Sequence, residues 1–287
     1  MGKHRIFWLA ALLLVALVGG EVGVRASGLV DVPIYQQDAA SGYKPITRQH
    51  GRFFLRNDWV YNNLGMGTAA DFRPVGTLLV GDSETEGSIA FMRQPEKVGP
   101  QLQADLGEPV WPMGAKGWAL TNELGWLNSH PQVLGIPRIM FLSNSGDFGV
   151  AHPWDNQLLH PTHRPLFALG YVTMRRFVRQ PPGVDTMPPT PASLAIWRAA
   201  LHRFLTSYRG HVVFILLPTQ VETANHTDGF QPLTAALALE KDSNVSVVRV
   251  ADDKNWATDL YKNNFHPNPL GNREIAAFVA SQLRSEY

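Results

Sequence analysis

Cysteine is absent from the 287 residues. That excludes disulfide scaffolds, thiolate metal sites and thiol catalysis. A surplus of one charge is missing too: 25 basic and 24 acidic residues leave a formal net charge of +1. The chain therefore lacks the basic stripe with which a nucleic-acid binder neutralises phosphates, and no nucleic-acid partner is expected. It also has no internal repeat, no low-complexity tract and only one apolar run approaching membrane length. Its hydrophobic content of 45% suits a chain that closes one sizeable core without cross-links.

The long apolar run is at the N-terminus. Lys3 and Arg5 precede Ile6 to Val18, and Gly19 and Gly20 follow. A basic flank before an apolar core reads as a secretory signal or an anchor, with the remainder translocated. The run falls short of the roughly 17–25 residues that a span needs unless Gly19 to Val24, with Glu21, are included. Residues 1–26 are thus a signal anchor or a cleaved signal, the anchor being favoured because Arg25 interrupts the small-residue cleavage pattern. The expected location is the cytoplasmic membrane, single-pass with the remaining chain in the periplasm, or secreted if the signal is cleaved.

Residues 27–75 show little periodicity and read as an irregular segment before the main domain, 76–287. There, continuous apolar runs at 77–81, 109–111, 138–143, 211–217 and 245–250 alternate with helical patterns near 89–106, 118–128, 192–208, 232–239 and 270–283. Buried strands alternating with amphipathic helices predict a three-layer α/β/α sandwich around a mainly parallel sheet. Residues 148–191, rich in Pro and His, break the rhythm as a lid or binding excursion.

In such a sheet, chemistry belongs to loops at the carboxyl ends of the strands. After the first run comes Gly81-Asp82-Ser83, which alone reads as a turn and a helix cap. Near the C-terminus, Asn263-Asn264-Phe265-His266-Pro267-Asn268 precedes the last helix. A Ser hydroxyl is inert without a base, and His supplies one near neutral pH. Ser83 and His266 are thus a candidate nucleophile and base.

On these residues the chain resembles the SGNH (GDSL-like) hydrolase superfamily, of the membrane-anchored bacterial type, over roughly 76–285. Gly81-Asp82-Ser83 is similar to the first family block, whose Ser is the nucleophile. Trp111-Pro112-Met113-Gly114-Ala115-Lys116-Gly117-Trp118 is similar to the second, whose Gly, here Gly114, donates a backbone N–H to the oxyanion. Ser143-Asn144-Ser145-Gly146-Asp147 stands at the third. His266-Pro267-Asn268 is similar to the last, whose His is the base. Gly42-Tyr43-Lys44-Pro45 and Tyr61-Asn62-Asn63-Leu64-Gly65 are similar to the stretch preceding the domain in anchored members. Two positions depart from the pattern. Gly146 replaces the Asn that donates to the oxyanion, so Asn144 substitutes only if the loop is re-aimed. Asn263 replaces the Asp that orients the base, with Asp259 as a possible stand-in.

The resemblance implies Ser83, His266 and Asn263 as catalytic residues, and an oxyanion hole from Ser83, Gly114 and Asn144. The implied activity is a serine esterase without metal or cofactor, removing acyl groups, acetyl foremost, from a glycan or exopolysaccharide. An O-acyltransferase on the same glycan, or a non-catalytic glycan-binding or assembly protein, would keep the same fold. Other residues read as weaker candidates. His152, His160 and His163 fit no metal spacing and read as surface or lid residues. Trp111, Trp118, Trp126 and Trp154 read as core more than as a carbohydrate cleft. Glu84 and Glu86 read equally as solvated charges or substrate contacts.

Overall fold

The computed structural model describes residues 2–150, 158–177, 191–240 and 244–285. Helix α1, Gly2–Ala26, extends continuously through Gly19, Gly20 and Glu21. His4–Ala26 is long and apolar enough by length and composition to cross a membrane, and none of it is buried. Two antiparallel hairpins follow, β1 (Tyr35–Asp38) with β2 (Gly42–Pro45) and β3 (Gln49–Phe53) with β4 (Asn57–Tyr61). Residues 27–75 are therefore not irregular throughout: the hairpins occupy 35–61, and 62–75 has no helix or strand. Strands this short, with several polar positions, carry little period-two signal.

The main sheet is parallel, in the order β6-β5-β7-β8-β9. Its strands are β5 (Thr77–Gly81), β6 (Val110–Gly114), β7 (Arg138–Ser143), β8 (His211–Leu216) and β9 (Val245–Arg249). Successive side chains of a strand point to opposite faces, and the core divides accordingly. Leu78, Val80, Ile139, Phe141 and Phe214 pack on one face with Trp126, Trp197 and Phe204. Leu79, Met140, Leu142, Val213 and Ile215 pack on the other with Leu102, Ile275 and Val279.

Between β5 and β6 lie the short α2 (Ser83–Glu86) and α3 (Val98–Leu106); α4 is Leu120–Ser129, and α5 (Ala168–Phe177) lies in the long excursion. Then come α6 (Pro191–Ser207), α7 (Gln220–Asn225), α8 (Gln231–Glu240) and the closing α9 (Pro269–Ser285). The face of the first core cluster is covered by α4 and α6, the opposite face by α3 and α9. This is the three-layer arrangement expected. One helix starts later than the apolar spacing predicts: 89–97 is a loop with a 3₁₀ turn at Gln94–Glu96. Pro95 favours the first turn of a helix but not its interior, and the regular helix begins after it.

Trp111, Trp118 and Trp126 are buried in the core, and none of them lines the cavity that holds Ser83. His152 and Trp154 lie outside the described residues.

Candidate active site

The Ser83 loop is set by close backbone approaches. A Cβ on Gly114, which pairs with Gly81 at the ends of β6 and β5, would sit 2.6 Å from the Asp82 carbonyl oxygen. Asp82 caps α2, its Oδ1 accepting the Glu84 N–H at 3.0 Å. This places Ser83 at the first helical position. The turn closes at Gly87, whose positive φ of 70° suits a residue without a side chain.

The His266 loop is fixed from the other end of the domain. Asn268 Oδ1 accepts the N–H groups of Leu270 and Gly271, capping α9, and its Nδ2 donates to the Asp259 carbonyl at 2.7 Å. A Cβ on Gly271 would overlap the Leu260 carbonyl, so glycine lets α9 pack against that turn.

The two loops meet. His266 Nε2 lies 2.9 Å from Ser83 Oγ, and His266 Nδ1 lies 2.9 Å from Asn263 Oδ1. That Asn263 atom also accepts the backbone N–H groups of Phe265 and His266, at 3.1 and 3.0 Å, which identifies it as the amide oxygen. An oxygen there can only accept, so Nδ1 carries the proton and the Nε2 lone pair faces the serine hydroxyl. This is the tautomer a general base needs. Burial holds the imidazole pKa down to about 4, with the Lys116 charge as the second cause. Asn263 supplies no opposing charge. Asp259 makes no bond to His266; its role in the loop is through its carbonyl.

The oxyanion side is less complete. Asn144 Nδ2 points to the carboxylates of Asp82 and Glu84, at 3.4 and 3.3 Å, and its Oδ1 accepts the Gly146 N–H at 2.7 Å. The same two carboxylates lie 3.4 and 3.3 Å from Ser83 Oγ. Gly114 and Asn144 are absent from the walls of the cavity that holds Ser83, His266 and Asn263.

That cavity, of about 340 Å³, also includes Glu86, Lys116, His160 and Arg175. Glu86 is not a freely solvated charge: the hydroxyls of Tyr35 and Tyr61 and the backbone N–H of Lys116 all donate to it. Glu84 is 5% exposed and not solvated either. His160, expected as a surface or lid residue, is buried against Tyr43 with ring centroids 4.2 Å apart, and its Nε2 lies 2.8 Å from the Lys116 carbonyl oxygen. His163 is exposed. Among the described residues, no group of three or more His, Asp or Glu could hold a metal ion. Lys116 and Arg175 escaped the sequence reading. Lys116 lies inside the second block, where the resemblance assigns it no role; nothing near Arg175 marks it.

No protein-family model and no curated protein matches the chain. Solved structures do resemble it. An acetyl xylan esterase from the rumen bacterium Butyrivibrio proteoclasticus is 12% identical over 76% of this chain and 65% of its own, with a TM-score of 0.45; the chain thus spans slightly under two thirds of that protein. A carbohydrate acetylesterase from Sinorhizobium meliloti is 11% identical over 75% of this chain and all of its own, with a TM-score of 0.45. A lipase/acylhydrolase from Enterococcus faecalis is 12% identical over 73% of this chain and 96% of its own, again with a TM-score of 0.45. The chain thus has a parallel α/β sheet with Ser83 after its first strand and His266 before the last helix, the two side chains within hydrogen-bond distance.

Proposed function

We propose that the chain is a serine ester hydrolase that removes acyl groups, acetyl foremost, from a glycan or exopolysaccharide at a membrane surface. The observation that carries this reading is the Ser83–His266–Asn263 relay, with its distances of 2.9 Å and its defined tautomer. His266 takes the proton of Ser83 as Oγ attacks the ester carbonyl. The protonated Nε2 then returns that proton to the leaving sugar oxygen, and water, deprotonated by the same nitrogen, releases the acid. The backbone N–H of Ser83, which lines the cavity, is the proposed oxyanion donor. The glycan is suggested by the carbohydrate esterases among the similar folds, an analogy and not a geometric argument. Helix α1 is the proposed anchor, with the hydrolase domain in the periplasm.

Labelling by a fluorophosphonate probe tests the chemistry. The full-length protein in detergent should react, and Ser83→Ala should not. Labelling that survives in the Ala variant places the nucleophile elsewhere.

A non-catalytic binding role on the same fold has one observation in its favour, the two carboxylates beside Ser83 Oγ. Negative charge there opposes an oxyanion. If it silences the serine, the wild type stays unlabelled and Glu84→Gln gains labelling.

A further inference from the structure

The walls of the Ser83 cavity are chemically lopsided. Ile89, Ala90, Phe91 and Pro161 supply apolar surface, and the Phe91 and His266 rings meet edge to face with centroids 6.4 Å apart. On the same cavity stand two permanent or near-permanent cations, Lys116 and Arg175. They come from unrelated parts of the chain: Lys116 follows β6, and Arg175 lies on α5 of the excursion. Among the described residues, no carboxylate lies within ion-pair distance of either. The acid that lines the cavity, Glu86, makes no ion pair with either and accepts from two tyrosine hydroxyls and a backbone N–H.

Bringing two like charges into a partly desolvated cavity is unfavourable without an anion between them. Burial pushes the Lys116 pKa down and the Arg175 charge adds to the effect, against an opposing pull from Glu86. Lys116 in turn depresses His266. Lysine and arginine near a pocket floor are the side chains that hold carboxylates and phosphates, arginine through a planar fork and lysine as a point charge.

We infer that Lys116 and Arg175 form an anion subsite beside the nucleophile, so that the ester substrate carries a carboxylate or phosphate close to its acyl group. The acyl chain then lies on the apolar wall, with the anion against the cations. This inference rests on the hydrolase reading for its word "substrate" but not for the binding site itself.

The test separates the two. Full-length Ser83→Ala protein in detergent is titrated with trigalacturonate, glucose 6-phosphate and neutral xylotriose, with binding measured by calorimetry. At least one anionic sugar should bind about tenfold or more tighter than xylotriose, an electrostatic preference that narrows as added salt shortens the Debye length. Trigalacturonate as the tighter ligand assigns the source to carboxylate, glucose 6-phosphate to phosphate. Arg175→Gln and Lys116→Gln, each placed on Ser83→Ala, should shrink the preference, and Arg175→Glu should reverse it. Equal binding of anionic and neutral sugars, or a preference untouched by all three changes, overturns the subsite. Circular dichroism of each variant distinguishes lost folding from lost binding, and Arg175→Lys, which keeps the charge, should restore part of the preference. Absence of probe labelling in the wild type would sink the hydrolase reading while leaving these titrations valid.

Discussion

At the scale of single residues, the site is a base without an acid behind it. Asn263 orients His266 and selects its tautomer, yet would offer no charge to the imidazolium that the proposed hydrolysis requires. With its pKa held to about 4 by burial and by Lys116, His266 is neutral, and so competent as a base, through the whole neutral and mildly acidic range. The acid limb of the kcat/KM profile should therefore fall near pH 4, well below the 6–7 of an ordinary histidine. Lys116→Gln should move that limb upward. Asn263→Asp should move it further up and raise turnover on an acetyl ester, by about tenfold, because the tautomer is already correct and only the charge stabilisation is gained. An unchanged limb in both variants would mean that the profile reports another group. The same depression has a stability consequence. The unfolded chain binds this proton more readily, so the His266 contribution to stability is complete above about pH 6.5 and is lost as pH falls toward 4.

At the scale of elements, α4 carries the opposite case. Glu123 is fully buried, and among the described residues neither carboxyl oxygen has a hydrogen-bond partner. Burial, and then the nearby Asp82 charge, push its pKa well above the usual carboxylate range. A raised acid stabilises the fold only while protonated: its contribution is complete below about pH 4.5 and is lost as pH rises through the folded value. Glu123→Met should raise thermal stability at neutral pH, by about 1–3 kcal/mol, by removing an unsatisfied buried group. A lower melting temperature in that variant would show that the carboxyl is needed beneath the Ser83 loop. Elements like α4 were legible from apolar spacing, and the five strands of the parallel sheet from continuous apolar runs, since strands buried on both faces leave an unmistakable trace. Ser83, His266 and Asn263 were legible because each sits in a short local block. Glu86, Lys116 and Arg175 were not: their roles depend on which distant backbone groups and side chains face them, and α5 shares no local pattern with the loops it faces. The apolar cluster Ile89, Phe91 and Met92 imitated a helical stripe. In the fold, Ile89 and Phe91 line the cavity and Met92 is buried near Asn272.

At the scale of the whole molecule, the N-terminal helix is joined to the excursion by specific bonds. Glu21 accepts the N–H groups of Ala168 and Leu169, which open α5, at 3.0 and 2.8 Å. Arg25 pairs with Glu21 and donates to the carbonyls of Pro165 and Leu166. Carboxylates at helix starts are worth about 0.5–2 kcal/mol, so Glu21→Ala should loosen α5 and sensitise residues 158–177 to protease while leaving the sheet protected. Equal protection of that stretch in both forms would show that the cap is idle. If α1 is retained in the bilayer as proposed, a reporter fused after residue 40 should be active in the periplasm and the protein should resist carbonate extraction. A soluble form beginning near residue 27 would instead mark a cleaved signal. Very little chain separates α1 from the body: the helix ends at Ala26, and Val30 and Val32 are already buried. Such a tether has no slack. An anchored enzyme of this build would sweep a shell of fixed height above the lipid and leave the solution beyond it untouched, so its throughput would follow the number of molecules per area of membrane. Polymers would be trimmed where they emerge, and an inserted flexible linker after Ala26 would spread the modification to chains already released.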